Sequence, residues 1–484
     1  MTETTKKASK NGTSTPEKSL NGESIPLEAT ASFKPKIEFR RIAELIPNSH
    51  NARTHSKKQC KDIAASINRV GFNNPILVDR DNVIVAGHGR YEAAKILGIK
   101  EVPVIRLDHL TKDEIRAYML ADNQLAAKAG WDEEILAIEL QHLLEIDFDL
   151  DMTGFEAPVV DYLIETQLSG PGSDRADIVP ETDSRWPVIS RAGDIWILGP
   201  NRLMCGSALD AEVIQDLMDG KFAKVCVIDL PYNVHIDGNV CGSGAIKHDE
   251  FVMASGEMSQ SEFRGFLERA LRSAALFSAD GAIHYLFMDW RSIDLLILAG
   301  REVFSELLNI CIWNKTNAGM GSFYRSQHEM IAVFKNGTAS HKNNIQLGRH
   351  GRNRSNVWTY PGVNSLDPKR RAELALHPTV KPVALVADAI RDSSKRGDIV
   401  LDTFVGSGTT IIAAAETGRI GYGLELDPKY VDVAVRRWEI YSGDEAIHAQ
   451  TGLTFHELAK TRLGPMALLS APDEVDQSEG VDDE

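Results

Sequence analysis

Apolar and polar residues follow two different rhythms along this chain, and the change of rhythm marks its organisation. Between 36 and 168, apolar runs at 76–79 and 82–86 flank a turn at Arg80-Asp81 and predict two strands, and Val102-Pro103-Val104-Ile105 predicts another. Residues 90–97 carry a helical pattern closed by Gly98, and 112–127 and 133–144 place apolar residues three and four apart, as an amphipathic helix requires. This part reads as a small α/β unit with a helical extension. From 187 to 462, apolar runs at 194–198, 225–228, 282–287, 310–313, 330–334, 399–401 and 421–424 alternate with helical spacing at 261–273, 290–302, 382–391, 409–417 and 428–441. That alternation predicts a largely parallel sheet covered by helices on both faces, with ligands lying beyond the carboxyl ends of the strands. No internal repeat is visible.

Three stretches lack either rhythm. Residues 1–35 are rich in Ser, Thr, Lys, Gly and Asn and are expected to be a disordered tail; 463–484 form an acidic tail; Gly and Pro in 169–186 make that stretch a linker. With 484 residues, two folded domains are expected. No apolar stretch approaches the ~18 residues of a membrane span, and the polar start lacks a secretion signal, so a cytoplasmic setting is expected. Five scattered cysteines without a C-x-x-C pair give no zinc or disulfide framework, and no metal is expected.

The net charge of -16 excludes a generally basic nucleic-acid binder, but its distribution is uneven. Between 335 and 371 there are eight basic residues, among them Lys342, Arg349, Arg352 and Arg354, against one acid, Asp367. Alone, such a run reads first as a solvated loop.

Two signatures carry chemistry. Val225-Cys226-Val227-Ile228 leads into Asp229-Leu230-Pro231-Tyr232, which offers a carboxylate, a directed carbonyl and an aromatic ring at a strand end. Far downstream, a strand ending at Asp402 passes through Thr403-Phe404-Val405-Gly406-Ser407-Gly408 into a helix opened by Thr409-Thr410, whose amide donors face a ligand. Ile411 stands where a dinucleotide fingerprint has its third glycine, which argues against a pyrophosphate. Glu425 closes the next strand, placed to accept ribose hydroxyls. The pair suggests an amine-methylating site beside a nucleoside cofactor.

Together with Tyr324-Arg325-Ser326-Gln327-His328-Glu329, His377-Pro378-Thr379-Val380-Lys381-Pro382 and Gly423-Leu424-Glu425-Leu426-Asp427, these stretches resemble the DNA amino-methyltransferases that use S-adenosylmethionine, in the permuted subgroup whose catalytic motif precedes the cofactor motif. The resemblance covers essentially all of 190–440. It implies a Rossmann-like methyltransferase sheet, with Asp229 and the Leu230 carbonyl accepting from the target amine, Pro231 holding Leu230 extended, and Tyr232 stacking on an extruded base. It places Ser207, His377, Thr379, Lys381, Asp402, Phe404, Gly406, Gly408, Thr409 and Glu425 around the cofactor. Lys381 would meet the cofactor carboxylate or, equally, be a solvated lysine before a helix. A target-recognition region falls at 335–376, where Lys342, Arg349, Arg352 and Arg354 would contact DNA and Trp358 and Tyr360 would offer flat surfaces. Two departures stand out: Leu230 replaces the family's usual proline, and Ser207 replaces its usual acid.

Val85-Ala86-Gly87-His88-Gly89-Arg90-Tyr91-Glu92-Ala93-Ala94 and its flanks resemble the ParB amino-terminal domain over about 38–125. A loop at Gly87, His88, Gly89 and Arg90 before a helix could hold a nucleotide phosphate, whereas a domain that binds only DNA or protein is as well supported. The sequence thus implies a site-specific methyltransferase of the adenine amine in double-stranded DNA, suited to a restriction–modification setting, with a homodimer left open. The alternatives are a cytosine-N4 methyltransferase and a non-catalytic ParB-like binding or partition factor.

Overall fold

The computed structural model describes residues 34–146, 148–167, 176, 178, 180, 187–233, 256–316, 323–346, 352–361 and 380–464. The two tails, most of the linker, Arg349, His377 and Thr379 lie outside the described residues. The chain divides into two compact units, residues 1–130 with 151–154, and 131–150 with 155–484.

In the first unit β1 (Ile37–Arg41), α1 (Lys57–Val70), β2 (Ile76–Val78), β3 (Ile84–Ala86), α2 (His88–Ile96), β4 (Glu101–Arg106) and α3 (Lys112–Lys128) form a four-stranded sheet of order β1-β4-β2-β3 with its helices. Ile76, Val78, Ile84, Val102 and Val104 are buried together as its core. Helix α3 opens on a capping box, Thr111 with Glu114, which satisfies two otherwise orphaned amides.

The second unit begins with a helix pair, α4 (Glu133–Glu145) and α5 (Ala157–Gln167), packed through Ala137, Leu140, Val160 and Leu163. There follow β5 (Ile195–Leu198), β6 (Asn201–Cys205), α6 (Ala211–Met218), β7 (Ala223–Asp229), α7 (Gln260–Leu276), β8 (Ser278–Met288), α8 (Ile293–Val303), β9 (Glu306–Lys315), β10 (His328–Lys335) and β11 (Val357–Tyr360). The unit closes with α9 (Val383–Ser393), β12 (Ile399–Asp402), α10 (Thr409–Glu416), β13 (Ile420–Glu425), α11 (Pro428–Ser442), β14 (Ile447–His448) and α12 (Phe455–Leu463). One ten-stranded sheet has the order β11-β9-β10-β8-β7-β12-β13-β6-β5-β14. Successive side chains of a strand point to opposite faces, and β7 shows the consequence. Val225 and Val227 join a core covered by α9 to α12, while Cys226 and Ile228 join a second core under α6, α7 and α8.

The expected parallel sheet is found at its centre, where β8, β7, β12, β13 and β6 run parallel, and again at one edge, where β11 runs parallel to β9. Both flanks turn antiparallel, through β10 against β8 and β9, and β5 against β6 and β14. Only Gly199, with φ 58°, and Pro200 separate β5 from β6, too few residues for a crossover, so a hairpin results.

Of the helical extension, α3 stays with the first unit, whereas α4 and α5 group with the second. Ion pairs explain why. Asp161 of α5 accepts from Arg419 at 2.8 Å and from Arg396 at 2.9 Å, and Glu165 accepts from Arg352 at 3.1 Å. Among the described residues no helix is long and apolar enough to cross a membrane.

Candidate active site

Strands β7 and β12 are parallel neighbours, with Val400 opposite Val225 and Leu401 opposite Cys226. The chain leaves β7 toward β8 on one side and β12 toward β13 on the other, so a crevice opens between the carboxyl ends of β7 and β12. Residues 229–232 and 402–407 both line this one cleft, which has a volume of about 170 Å³.

On the β12 side the turn is built by hydrogen bonds. Asp402 accepts from the Phe404 amide at 3.0 Å and from the Thr410 hydroxyl at 2.6 Å, which fixes the strand end against the first turn of α10. Gly406 (φ 51°) and Gly408 (φ 88°) adopt left-handed backbone that side chains resist. A Cβ on Gly408 would also stand 3.0 Å from the Ala434 Cβ, so this glycine lets α10 pack on α11, whereas Gly406 lines the cleft. Glu425 ties the neighbouring strand to the turn, accepting from the Gly406 and Asp427 amides, each at 2.9 Å. Ser207 follows β6, whose Cys205 pairs with Glu425, and it lines the cleft with Phe404 and Thr409.

Burial pushes the carboxyls of Asp402 and Glu425 up to about 7 each. The residues fit the nucleoside cofactor that the resemblance implies. A carboxylate on one wall keeps lone pairs beyond its two backbone donors, and a glycine turn presents bare backbone. Thr403, 2 % exposed, lines the cleft, and its hydroxyl has no hydrogen-bond partner among the described residues.

On the β7 side lies a compact charged cluster. The Tyr232 hydroxyl stands 2.8 Å from Asp229 Oδ1 and 3.0 Å from Glu329 Oε2. Lys381 Nζ donates to Asp229 Oδ2 at 2.5 Å and lies 3.2 Å from Glu329 Oε2, while Lys315 Nζ donates to Glu329 Oε1 at 2.5 Å. Two carboxylates and two ammonium groups therefore balance. Burial works against the charged form of Glu329, but Lys381 and Lys315 outweigh it and hold this carboxyl down at about 2. Asp229 is pushed up by its burial, with the Glu329 charge adding to the effect and Lys381 opposing it. Asp229 thus has the greater affinity for an incoming proton.

Lys381 is 7 % exposed rather than solvated; it lines the cleft and bridges Asp229 and Glu329. Sequence reasoning missed Glu329 and Lys315. Glu329 sits one residue inside a strand that the apolar run begins only at Met330, and that polar intrusion was the available signal. Leu230 is 1 % exposed and packs into the core under α6 to α8, so its larger side chain has an apolar place to lie.

The proposed DNA contacts need correction. The Arg352 side chain is 7 % exposed and meets Asp388 and Asp392 at 3.0 Å each, and Arg354 pairs with Asp388 and with Asp392. Both guanidinium groups fasten 352–360 to α9 and are not presented to a phosphate. Trp358 is buried in the core, which removes it as a stacking surface. Lys342 is exposed. In the first unit His88, Gly89 and Arg90 are the first turn of α2 rather than a loop before it, capped by left-handed Gly87 (φ 103°). The Asn48 amide donates to His88 Nε2 at 3.3 Å, and burial, with His55 nearby, lowers the His88 pKa. A Cβ on Gly89 would come within 2.9 Å of Ile63, so α1 packs closely there.

Three family models match: a ParB N-terminal domain over 29–123, a ParB-methyltransferase HTH domain over 134–192, and a DNA methylase, of the N6/N4 type, over 223–436. Residues 223–436 thus match the N6/N4 DNA methylases, and a ParB-like domain is fused ahead of them. Among its relatives, the ParB-like nuclease domain-containing protein YnaK of Escherichia coli is 47% identical over 83 residues, 17% of this chain and 95% of YnaK. The type II methyltransferase M.HpaI of Haemophilus parainfluenzae is 27% identical over 250 residues, 49% of this chain and 73% of M.HpaI. The DNA adenine methyltransferase YhdJ of Escherichia coli is 37% identical over 125 residues, 25% of this chain and 41% of YhdJ. The HTH match coincides with α4 and α5, the helices that group with the methylase unit.

Proposed function

We propose that this methylase transfers a methyl group from S-adenosyl-L-methionine to the exocyclic amine of adenine at specific sites in double-stranded DNA. The observation that carries the reading is the single cleft with Asp229 and Tyr232 on one wall and the Gly406 turn with Glu425 on the other. S-adenosylmethionine supplies an electrophilic methyl group already activated as a sulfonium, so the chain's task is to make a poor nucleophile better.

An exocyclic amine is poor because its lone pair is delocalised into the base. Asp229, whose proton affinity is raised, accepts a hydrogen bond from the amine, and the Leu230 carbonyl accepts from its other hydrogen. Both bonds strengthen as the nitrogen becomes tetrahedral, so they stabilise the transition state more than the ground state. Tyr232, its hydroxyl held between Asp229 and Glu329, keeps its ring at one orientation for the extruded base to stack on. Adenine is favoured over cytosine because the motif opens on Asp229 and because YhdJ, a relative, is an adenine enzyme. Comparing base modification across the genome in cells with and without this chain tests the reading. N6-methyladenine confined to one short sequence is expected; N4-methylcytosine, or no new modification, rejects it.

Cofactor affinity should depend on pH in a defined direction. Glu425 accepts ribose hydroxyls as a carboxylate, and its pKa of about 7 means that it gains a proton as the pH falls through neutrality. With binding restricted to the ionised form, the dissociation constant for S-adenosylmethionine should rise about tenfold between pH 8 and pH 6. Titration calorimetry at both values checks this, and Glu425→Gln should flatten the dependence.

A further inference from the structure

Exposed aromatic rings gather on one rim of the methylase sheet. Phe323 and Tyr324 are 86 % and 83 % exposed, the largest values among the big apolar side chains described, and their ring centroids lie 4.4 Å apart. Trp290 is 51 % exposed, with Arg291 lying 4.9 Å over its ring. Strand register fixes where they stand. Asp229 pairs with Phe287 at the end of β8, Met288 pairs with Met330 of β10, and His328 pairs with Asn314 of β9. The segment following β8 and the segment preceding β10 therefore emerge at the same edge as Asp229. Tyr324 and Phe323 are five and six residues from Glu329, which touches Tyr232, so extended chain of at most about 18 Å and about 22 Å separates them from the catalytic cluster.

Two large rings in water, side by side, are costly unless something covers them. Resting on the reading that this cleft methylates a base in duplex DNA, we propose that Phe323 and Tyr324 form a wedge. The pair enters the base stack at the target site and fills the space that the extruded base vacates. The chemistry matches: apolar and aromatic side chains inserted between base steps offset the loss of stacking, and aromatic faces stack on any base. The wedge and Tyr232 then divide the work, one holding the gap in the duplex and the other holding the base removed from it.

The test uses the full chain, unmethylated plasmid DNA and S-adenosylmethionine labelled in its methyl group, with protein and DNA at saturating concentration in a single turnover. In Phe323→Ala/Tyr324→Ala the transfer rate should fall at least about tenfold, while duplex affinity by mobility shift changes less than about threefold. The ring-preserving pair Phe323→Tyr/Tyr324→Phe should stay within about twofold of the parent. Both positions are exposed, so neither variant disturbs the core. A loss in the alanine variant smaller than tenfold, or an equal loss in the ring-preserving one, overturns the wedge. Absence of transfer by the parent chain would instead reject the function on which it rests, and the wedge with it.

Discussion

Asp229→Asn should lower the rate of methyl transfer by roughly 10²–10³-fold while leaving S-adenosylmethionine affinity within about threefold of the parent. The two expectations separate because the cleft has two walls. In the proposed reaction Asp229 accepts from the target amine, whereas Glu425, Asp402 and the Gly406 turn form the opposite wall through hydrogen bonds in which Asp229 takes no part. Asparagine keeps one oxygen acceptor and the volume, but it removes the negative charge that stabilises a nitrogen becoming cationic. Lys381 keeps Glu329 at 3.2 Å, so the substitution does not leave its ammonium without a counter-charge. Single-turnover transfer and titration calorimetry on the same preparation give the two numbers. Equal losses in both would mean that Asp229 shapes the cleft rather than acting on the amine.

Asp161→Ala should reduce the unfolding free energy of the methylase unit by about 3–5 kcal/mol. Asp161 has a side chain 2 % exposed and serves two guanidinium groups. Arg396 is 27 % exposed and can turn to water, but the Arg419 side chain is fully buried and cannot. Arg419 also donates to the Thr417 carbonyl at 2.6 Å and the Ser394 carbonyl at 2.8 Å. Those bonds satisfy only some of its five N–H donors and leave its charge without a partner once Asp161 is gone. Removing one member of a buried pair is more damaging than never having had the pair, because the desolvated charge remains. Urea denaturation followed by tryptophan fluorescence measures the loss. A change below about 1 kcal/mol would mean that α4 and α5 are not tied to the sheet through this contact.

The elements best read from sequence are those whose apolar spacing decides their burial. Strand β7 and helices α7, α10 and α11 each lie within a few residues of their expected limits, because an unbroken apolar run or a regular three-and-four spacing admits one solution. Helix α1 was not legible: only Cys60 and Ala64 of its 14 residues are buried, so its sequence reads as polar. Strand β6 was equally hidden, its five residues mixing Asn201 and Arg202 with apolar ones after a two-residue turn.

The same contrast holds in the site. Asp229, Tyr232 and Glu425 stand where a strand end puts them, and local pattern finds strand ends. Arg352 and Arg354 misled because charge was counted along the chain, whereas their counter-charges, Asp388 and Asp392, lie beyond the basic stretch on α9. Glu329 and Lys315 come to the cluster through antiparallel pairing of β9 with β10, a long-range event that the polar intrusion at Glu329 only hints at.

The most direct test is the chemical identity of the product. Purified chain, S-adenosylmethionine carrying a deuterated methyl group and unmethylated DNA would be incubated together, and the DNA digested to nucleosides for mass spectrometry. The account predicts the deuterated methyl on the N6 of deoxyadenosine, formed roughly 10²–10³-fold more slowly when Asp229→Asn replaces the parent. Label on the cytosine amine, on a ring carbon, or on no base at all would contradict it.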